Sequence, residues 1–134
     1  MGQRTVATRL RVYVGERDSW HGHGLAQAIV SAARDHGLAG ATILQGIEGY
    51  GAHSRIHVLH PFSLSHDLPL LVEIIDRPER IAEFMPVVDK MLPGGLVTTD
   101  PVEVVFYRRR EARAQARDAR ERQTGAGGAE TTPN

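Results

Sequence analysis

Six consecutive residues, Leu70-Leu71-Val72-Glu73-Ile74-Ile75, constrain this chain more than any others. Only Glu73 is polar. Successive side chains of a strand point to opposite faces, so this run is apolar on both, as expected of a strand at the centre of a sheet. It is far too short for the ~20 residues of a membrane-spanning helix, and the wider apolar stretch Leu68 to Ile75 is interrupted by Pro69 and Glu73. The fold must therefore supply neighbours on both sides of this strand and helices to cover it.

The rest of the sequence offers those partners. Thr8 to Val14 alternates with period two, so Leu10, Val12 and Val14 share one buried face. Gly15 to Gly22 reads as a turn. Leu25, Ala28, Ile29, Ala32 and Ala33 recur at helical spacing, with Gln27, Ser31 and Arg34 opposite, and Gly37 is a C-terminal cap. Ala41 to Ile47 is the next strand, Arg55 to Leu59 a short extended piece, and Pro61 to Asp67 a loop. Asp76-Arg77-Pro78-Glu79 reads as a helix start with Asp76 as cap. Ile81, Phe84, Met85, Val88, Met91 and Leu92 form the apolar stripe of that helix, and Pro86 should kink it or remove a hydrogen bond. Pro93-Gly94-Gly95 ends it, and Val102 to Tyr107 is the expected last strand. The order β, α, β, β, α, β predicts an α+β, ferredoxin-like βαββαβ fold: an antiparallel sheet with two helices on one face. A different α+β sandwich with the same order is the alternative.

Charge divides the chain where this pattern stops. Residues 1–107 hold 9 Lys+Arg against 12 Asp+Glu, whereas Arg108 to Arg122 holds seven arginines against Glu111, Asp118 and Glu121. The expectation is a domain over 1–107 and a basic tail over 108–134, largely disordered, whose first part forms a solvated helix. An acidic body argues against nucleic acid as a partner. With no cysteine, disulfides and thiolate zinc sites are excluded. No charged-then-apolar leader opens the sequence, which points to the cytoplasm.

The chemistry concentrates around one glycine cluster. Gly46, Gly49 and Gly51 follow the second strand, with Glu48 and Tyr50 among them and Arg55 and His57 just after. Such backbones form anion-binding nests; a ligand-free glycine-rich hairpin is the alternative. The GxxGxG order, followed by an extended segment, is not a dinucleotide fingerprint, and no GxxxxGK[ST] phosphate loop occurs. Ser65-His66-Asp67 are adjacent in a loop and cannot form a catalytic relay. His21 and His23, and His53, His57 and His60, are candidate metal ligands, with scattered surface histidines the simpler reading. Trp20 is expected to lie as a lid on the first helix, or to stack on a ligand ring. No nucleophile has a base within reach, so an enzyme is not expected.

The stretches LRVYVGERDSWHG, GLAGATILQGIEGYGAHSRIH, DLPLLVEIID and GGLVTTDPVEVVFY resemble the bacterial family called domain of unknown function number 190, over roughly Thr8 to Tyr107. That family is similar to the P-II signalling proteins, trimers of ferredoxin-like subunits, and to the CutA-type trimers. Its genes often neighbour those of fluoride channels. The resemblance therefore implies a homotrimer with a membrane-protein or other protein partner, without direct membrane insertion.

P-II proteins bind nucleotides between subunits, at a glycine-phenylalanine-glycine turn, a glycine-rich loop after the second helix, and arginines on the last strand. Gly49-Tyr50-Gly51 resembles the first, Pro93-Gly94-Gly95 stands at the second, and Arg108 falls near the last arginine. Leu96 stands where P-II proteins have a phosphate-binding lysine, and Phe106 near their other arginine. The Ala52 to His57 loop is far shorter than a T-loop and has no tyrosine for uridylylation. Losing two cations weakens triphosphate binding.

The resemblance thus implies a non-enzymatic regulator binding a small effector, with an adenine nucleotide as candidate and no certain cofactor. The candidate ligand residues are Gly46, Glu48, Gly49, Tyr50, Gly51, Arg55, Gly94, Gly95 and Arg108. The alternatives are a CutA-like trimer binding divalent metal, and an adaptor acting through its basic tail.

Overall fold

A computed structural model of the chain describes residues 4–51, 57–58 and 67–125. The chain divides into a body, Thr5–Glu103, and a second unit made by residues 1–4 and 104–134.

The body is built on the strand that the apolar run predicts. β7 (Pro69–Asp76) lies between β4 (Thr42–Gln45) and β1 (Thr5–Gly15), and β8 (Leu96–Val104) flanks β1, giving the order β4-β7-β1-β8. Both pairings of β7 are antiparallel, Val12 facing Val72 on one side and Ile43 facing Val72 on the other. β8 runs back along β1: Gly95 lies against the Tyr13 carbonyl and Asp100 against Arg9. This is the ferredoxin-like arrangement, with both helices on one face.

Alternation places Leu10, Val12 and Val14 of β1 and Leu70, Val72 and Ile74 of β7 on that covered face, all buried. α1 (Leu25–Asp35) adds Leu25, Ala26, Ile29 and Ala33, and α2 (Pro78–Met91) adds Ile81, Phe84, Val88 and Met91. Among the described residues, Phe84 is the largest fully buried side chain. Met85 and Leu92 of the predicted stripe are only partly buried against this core.

The helix ends explain how the two helices are fixed. Gly37 adopts φ of 75° just past α1. Its N–H donates to the Arg34 carbonyl and that of Leu38 to Ala33, the Schellman pattern that only a left-handed residue closes easily. Arg80 of α2 then donates to the Gly37 carbonyl at 2.7 Å, tying α2 to the end of α1.

Three expectations need correction. The last strand is Leu96–Val104, six residues earlier than Val102 to Tyr107 at its start. Pro101 suggests a break, but β8 is an edge strand, where a missing N–H is tolerated. Asp76 does not cap α2: the N-cap is Arg77, without a side-chain cap bond. Asp76 instead accepts the backbone N–H of Arg77 at 2.7 Å and of Ala39 at 2.9 Å. The segment Gly15 to Gly22 is more than a turn, since β2 (Ser19–Trp20) and β3 (His23–Gly24) form a small hairpin. His21 and Gly22, both at positive φ, make its two-residue tip. Pro86 lies inside α2, which continues through it as one helix. Having no N–H, it leaves the Ala82 carbonyl without its helical donor.

The second unit contains α3 (Arg110–Gly125), the helix expected at the start of the tail. Residues 126–134, for which disorder is expected, lie outside the described residues.

Candidate functional site

Two glycine-bearing backbones and the end of β1 frame one groove. β1 supplies Tyr13, Val14 and Gly15, and the turn after it supplies Asp18. Gly49, Tyr50 and Gly51 come from β5 (Glu48–Gly49) and the residues that follow; β5 pairs antiparallel with β6 (His57–Val58). Pro93, Gly94, Gly95 and Leu96 come from the α2–β8 connection, and Asp67 and Pro69 from the start of β7. The groove, open to solvent, has a volume of about 730 Å³.

Each wall is held by identifiable contacts. Gly46 donates its N–H to the Pro69 carbonyl at 2.7 Å. A Cβ at Gly46 would stand 2.6 Å from the Pro69 ring, so only glycine permits this approach. The clasp fixes where the 49–51 segment begins. Gly95 has φ of 124°, and a Cβ there would lie 2.7 Å from the Tyr13 carbonyl oxygen. That glycine lets the α2–β8 loop close onto the end of β1. Gly51 and Gly94 differ: among the described residues, a Cβ on either meets nothing within 4 Å, so the described packing demands neither.

The acidic side chains of the groove are fixed by backbone. Asp18 accepts the Gly15 N–H at 2.8 Å, and its carbonyl accepts the Leu25 N–H at the start of α1. Asp67 accepts the Arg17 N–H at 3.1 Å. Among the described lining residues, these two carboxylates are the only charged side chains. Tyr50 is 72% exposed and Leu96 55%.

Of the sequence-predicted residues, Gly49, Tyr50, Gly51, Gly94 and Gly95 are thus brought together. Gly46 lies behind them in the clasp with Pro69, and Glu48 is exposed on β5 opposite Val58, away from the groove lining. Arg55 lies outside the described residues. Arg108 belongs to the second unit, where its guanidinium sits 4.6 Å from the centre of the Phe106 ring. Sequence reasoning missed Tyr13, Asp18, Asp67 and Pro69. Only Tyr13 carried a signal, its odd place in the β1 alternation, which turns it away from the core.

The other candidate chemistry does not assemble among the described residues. No group of three or more His, Asp or Glu could hold a metal ion. His21 stacks on Trp20 at 4.3 Å between ring centres, at the tip of the hairpin. Trp20 packs partly buried against the core beside α1, the lid expected of it. His53, His60 and the Ser65-His66 pair lie outside the described residues.

The uncovered face of the sheet completes the geometry. Arg9 donates to both carboxylate oxygens of Asp100, at 3.0 and 2.6 Å, and Arg11 to Glu73 at 3.0 Å. The Arg9 hydrogen bond holds the Asp100 carboxyl below the usual carboxylate range, and that same bond raises the guanidinium of Arg9. Around these pairs, Tyr13, Leu44, Ile75 and Leu96 are exposed.

Residues 7–104 match the family DUF190, described as "Uncharacterized ACR". The chain belongs to that family. This DUF190 protein is 36% identical over 97 residues to a UPF0166 protein of Aquifex aeolicus, covering 72% of the chain and 91% of the relative. A UPF0166 protein of Methanocaldococcus jannaschii is 30% identical over 93 residues, 68% of the chain and 85% of the relative.

Among solved structures, the DUF190 chain is similar to CPII of Thiomonas intermedia K12, a nitrogen regulatory PII-like protein bound to ADP, AMP and bicarbonate. The TM-score is 0.54 at 16% identity, over 76% of this chain and 91% of that one. It is also similar to the divalent cation tolerance protein CutA1 of Thermus thermophilus, with a TM-score of 0.51 at 13% identity, over 80% and 92%. At these identities the likeness shows the fold alone: the DUF190 body has the ferredoxin-like fold that this PII-like protein and CutA1 share. Among the described residues, no helix is long and apolar enough to cross a membrane.

Proposed function

We propose that this protein is a non-enzymatic, cytoplasmic, PII-like regulator that binds a small effector in the groove and signals to a protein partner through the loop around Gly49–Gly51. The observation that carries this reading is the convergence of Gly49–Gly51 and Gly94–Gly95 on one groove of about 730 Å³. Gly51 and Gly94 keep their Cβ positions open although the fold does not require it. Open backbone at two adjacent loops is what close approach by an anionic ligand uses.

The effector is an adenine nucleotide with few phosphates. The related PII-like fold of CPII was crystallised with ADP and AMP. The groove itself supplies Asp18 and Asp67 but no cation among its described lining residues, which disfavours a triphosphate. The positive charge must come from outside the described lining residues, and Arg55 and Arg108 are the arginines that the resemblance nominates. A homotrimer completes the site at a cleft between subunits, and the uncovered sheet face, with Tyr13, Leu44, Ile75 and Leu96 exposed, is the surface that assembly would cover.

Titration calorimetry on the full chain tests this, with AMP, ADP, ATP and cyclic nucleotides, alongside light scattering. A trimer that binds AMP or ADP more tightly than ATP, with Gly51→Val abolishing binding, is the expected result. A monomer at micromolar concentration would remove the inter-subunit cleft. Absence of binding by every nucleotide would leave only the likeness of fold, which does not establish function.

A further inference from the structure

The segment that follows the last core strand carries a surface whose residues are not among those lining the groove. Val105, Phe106 and Tyr107 are consecutive, large and apolar, and are 53%, 62% and 64% exposed. Three arginines follow at once, Arg108, Arg109 and Arg110, and then α3. In the sequence, positions 110, 113, 117 and 120 are arginines spaced three, four and three apart, the spacing that lines one side of a helix. From Arg108 to Arg122 there are seven arginines against three acids. One acid, Glu121, is paired with Arg117 at 3.6 Å. Every residue described in detail along the second half of α3, 117–125, is exposed.

From this juxtaposition of exposed aromatics and an arginine-faced helix, we infer that residues 105–122 dock on the surface of an anionic lipid bilayer. The two halves match the two layers of such a surface. Val105, Phe106 and Tyr107 fit the boundary between headgroups and acyl chains, where aromatic side chains settle. The arginines match the negative headgroup layer, and clusters of four to eight Lys or Arg on a helix are attracted to acidic lipids. α3 has alanines at 112, 114, 116 and 119 but no apolar stripe, so it rests among the headgroups and does not enter the bilayer. Binding at such a surface grows with the buried apolar area and with the attraction to anionic lipids, so the two parts reinforce each other.

Nucleic acid, the other polyanion, fits less well. Single-strand binders present open aromatic faces on which bases stack. Here the Arg108 guanidinium lies over the Phe106 ring at 4.6 Å, occupying that face. Val105 offers nothing to a phosphate backbone.

The test is co-sedimentation of the full chain with vesicles of neutral phosphatidylcholine, and with vesicles containing about 30% phosphatidylglycerol, a typical acidic headgroup. The variants are Arg117→Glu with Arg120→Glu, and Phe106→Ser. Circular dichroism and light scattering report fold and assembly for each. The expected result is binding to acidic vesicles only, reduced about tenfold by the double charge reversal and weakened in 1 M salt, where the screening length falls to about 3 Å. Phe106→Ser should also weaken vesicle binding while leaving assembly unchanged. Equal binding to neutral vesicles, or no binding to acidic ones, overturns the inference. Tighter binding to a DNA or RNA oligonucleotide than to acidic vesicles reassigns the surface to nucleic acid. A change of oligomeric mass in Phe106→Ser reassigns the aromatic trio to a subunit interface.

Discussion

Replacing Gly95 with alanine should destabilise the body strongly, while the same change at Gly51 should not. At Gly95 two costs coincide. A φ of 124° is a conformation that L side chains rarely adopt, and holding a non-glycine residue there costs about 1–3 kcal/mol. The added Cβ would also stand 2.7 Å from the Tyr13 carbonyl oxygen. That carbonyl cannot retreat easily, because Tyr13 is held in register opposite Leu71 in the centre of the sheet. Together these give a loss of about 2–4 kcal/mol, in the range of the severe single substitutions. For a body of about this size, that corresponds to a fall in Tm of about 8–20 °C. Gly51 has no positive φ, and its Cβ direction is empty, so Gly51→Ala should stay within about 0.5 kcal/mol of the parent. Urea and thermal unfolding followed by circular dichroism, at one fixed protein concentration, measure both. If Gly95→Ala unfolds within about 0.5 kcal/mol of the parent, the loop does not close on β1 as described, and the groove loses one wall.

The Arg9–Asp100 pair makes stability depend on acid. Because the Asp100 carboxyl titrates below its ordinary value of 3.8 in the folded state, its contribution is complete above that value. It is lost as pH falls through the lower folded value, so Asp100→Asn should flatten the acid limb of a stability-versus-pH curve below about pH 4 and leave its shape near neutrality unchanged. A chain ending at Tyr107 should remain soluble and melt with the full-length protein, since α3 has no apolar stripe to bury; a much lower Tm would show that residues 108–134 are packed.

Much of the fold could be read because local pattern and tertiary role agree. Leu10, Val12 and Val14 alternate because one face of β1 is covered, and Gly37 ends α1 because its left-handed geometry closes the Schellman bonds. The position of β8 is harder to read. The sequence places the last strand from Val102, whereas it starts at Leu96, where Asp100 pairs Arg9 and the edge tolerates Pro101. Asp76 looks like a cap by spacing, yet its carboxylate is taken by Ala39, 37 residues away. The candidate site divides the same way. Its glycines announce themselves, and the two glycine segments do meet. Asp18 and Asp67 are 49 positions apart, and nothing in either neighbourhood hints that both flank Gly15.

The course of β8 beside β1 has a further consequence for how this body can be joined to other polypeptides. With Asp100 beside Arg9 and Gly95 beside Tyr13, the chain leaves the body at Glu103 close to where it entered at Thr5. Entry and exit therefore share one end of adjacent strands. The body can be inserted into a host protein as a single plug, or strung in tandem copies by short linkers, with little distance to span at either junction. The hairpin at Trp20 would remain untouched by such a graft, because it follows the opposite end of β1, beyond Gly15.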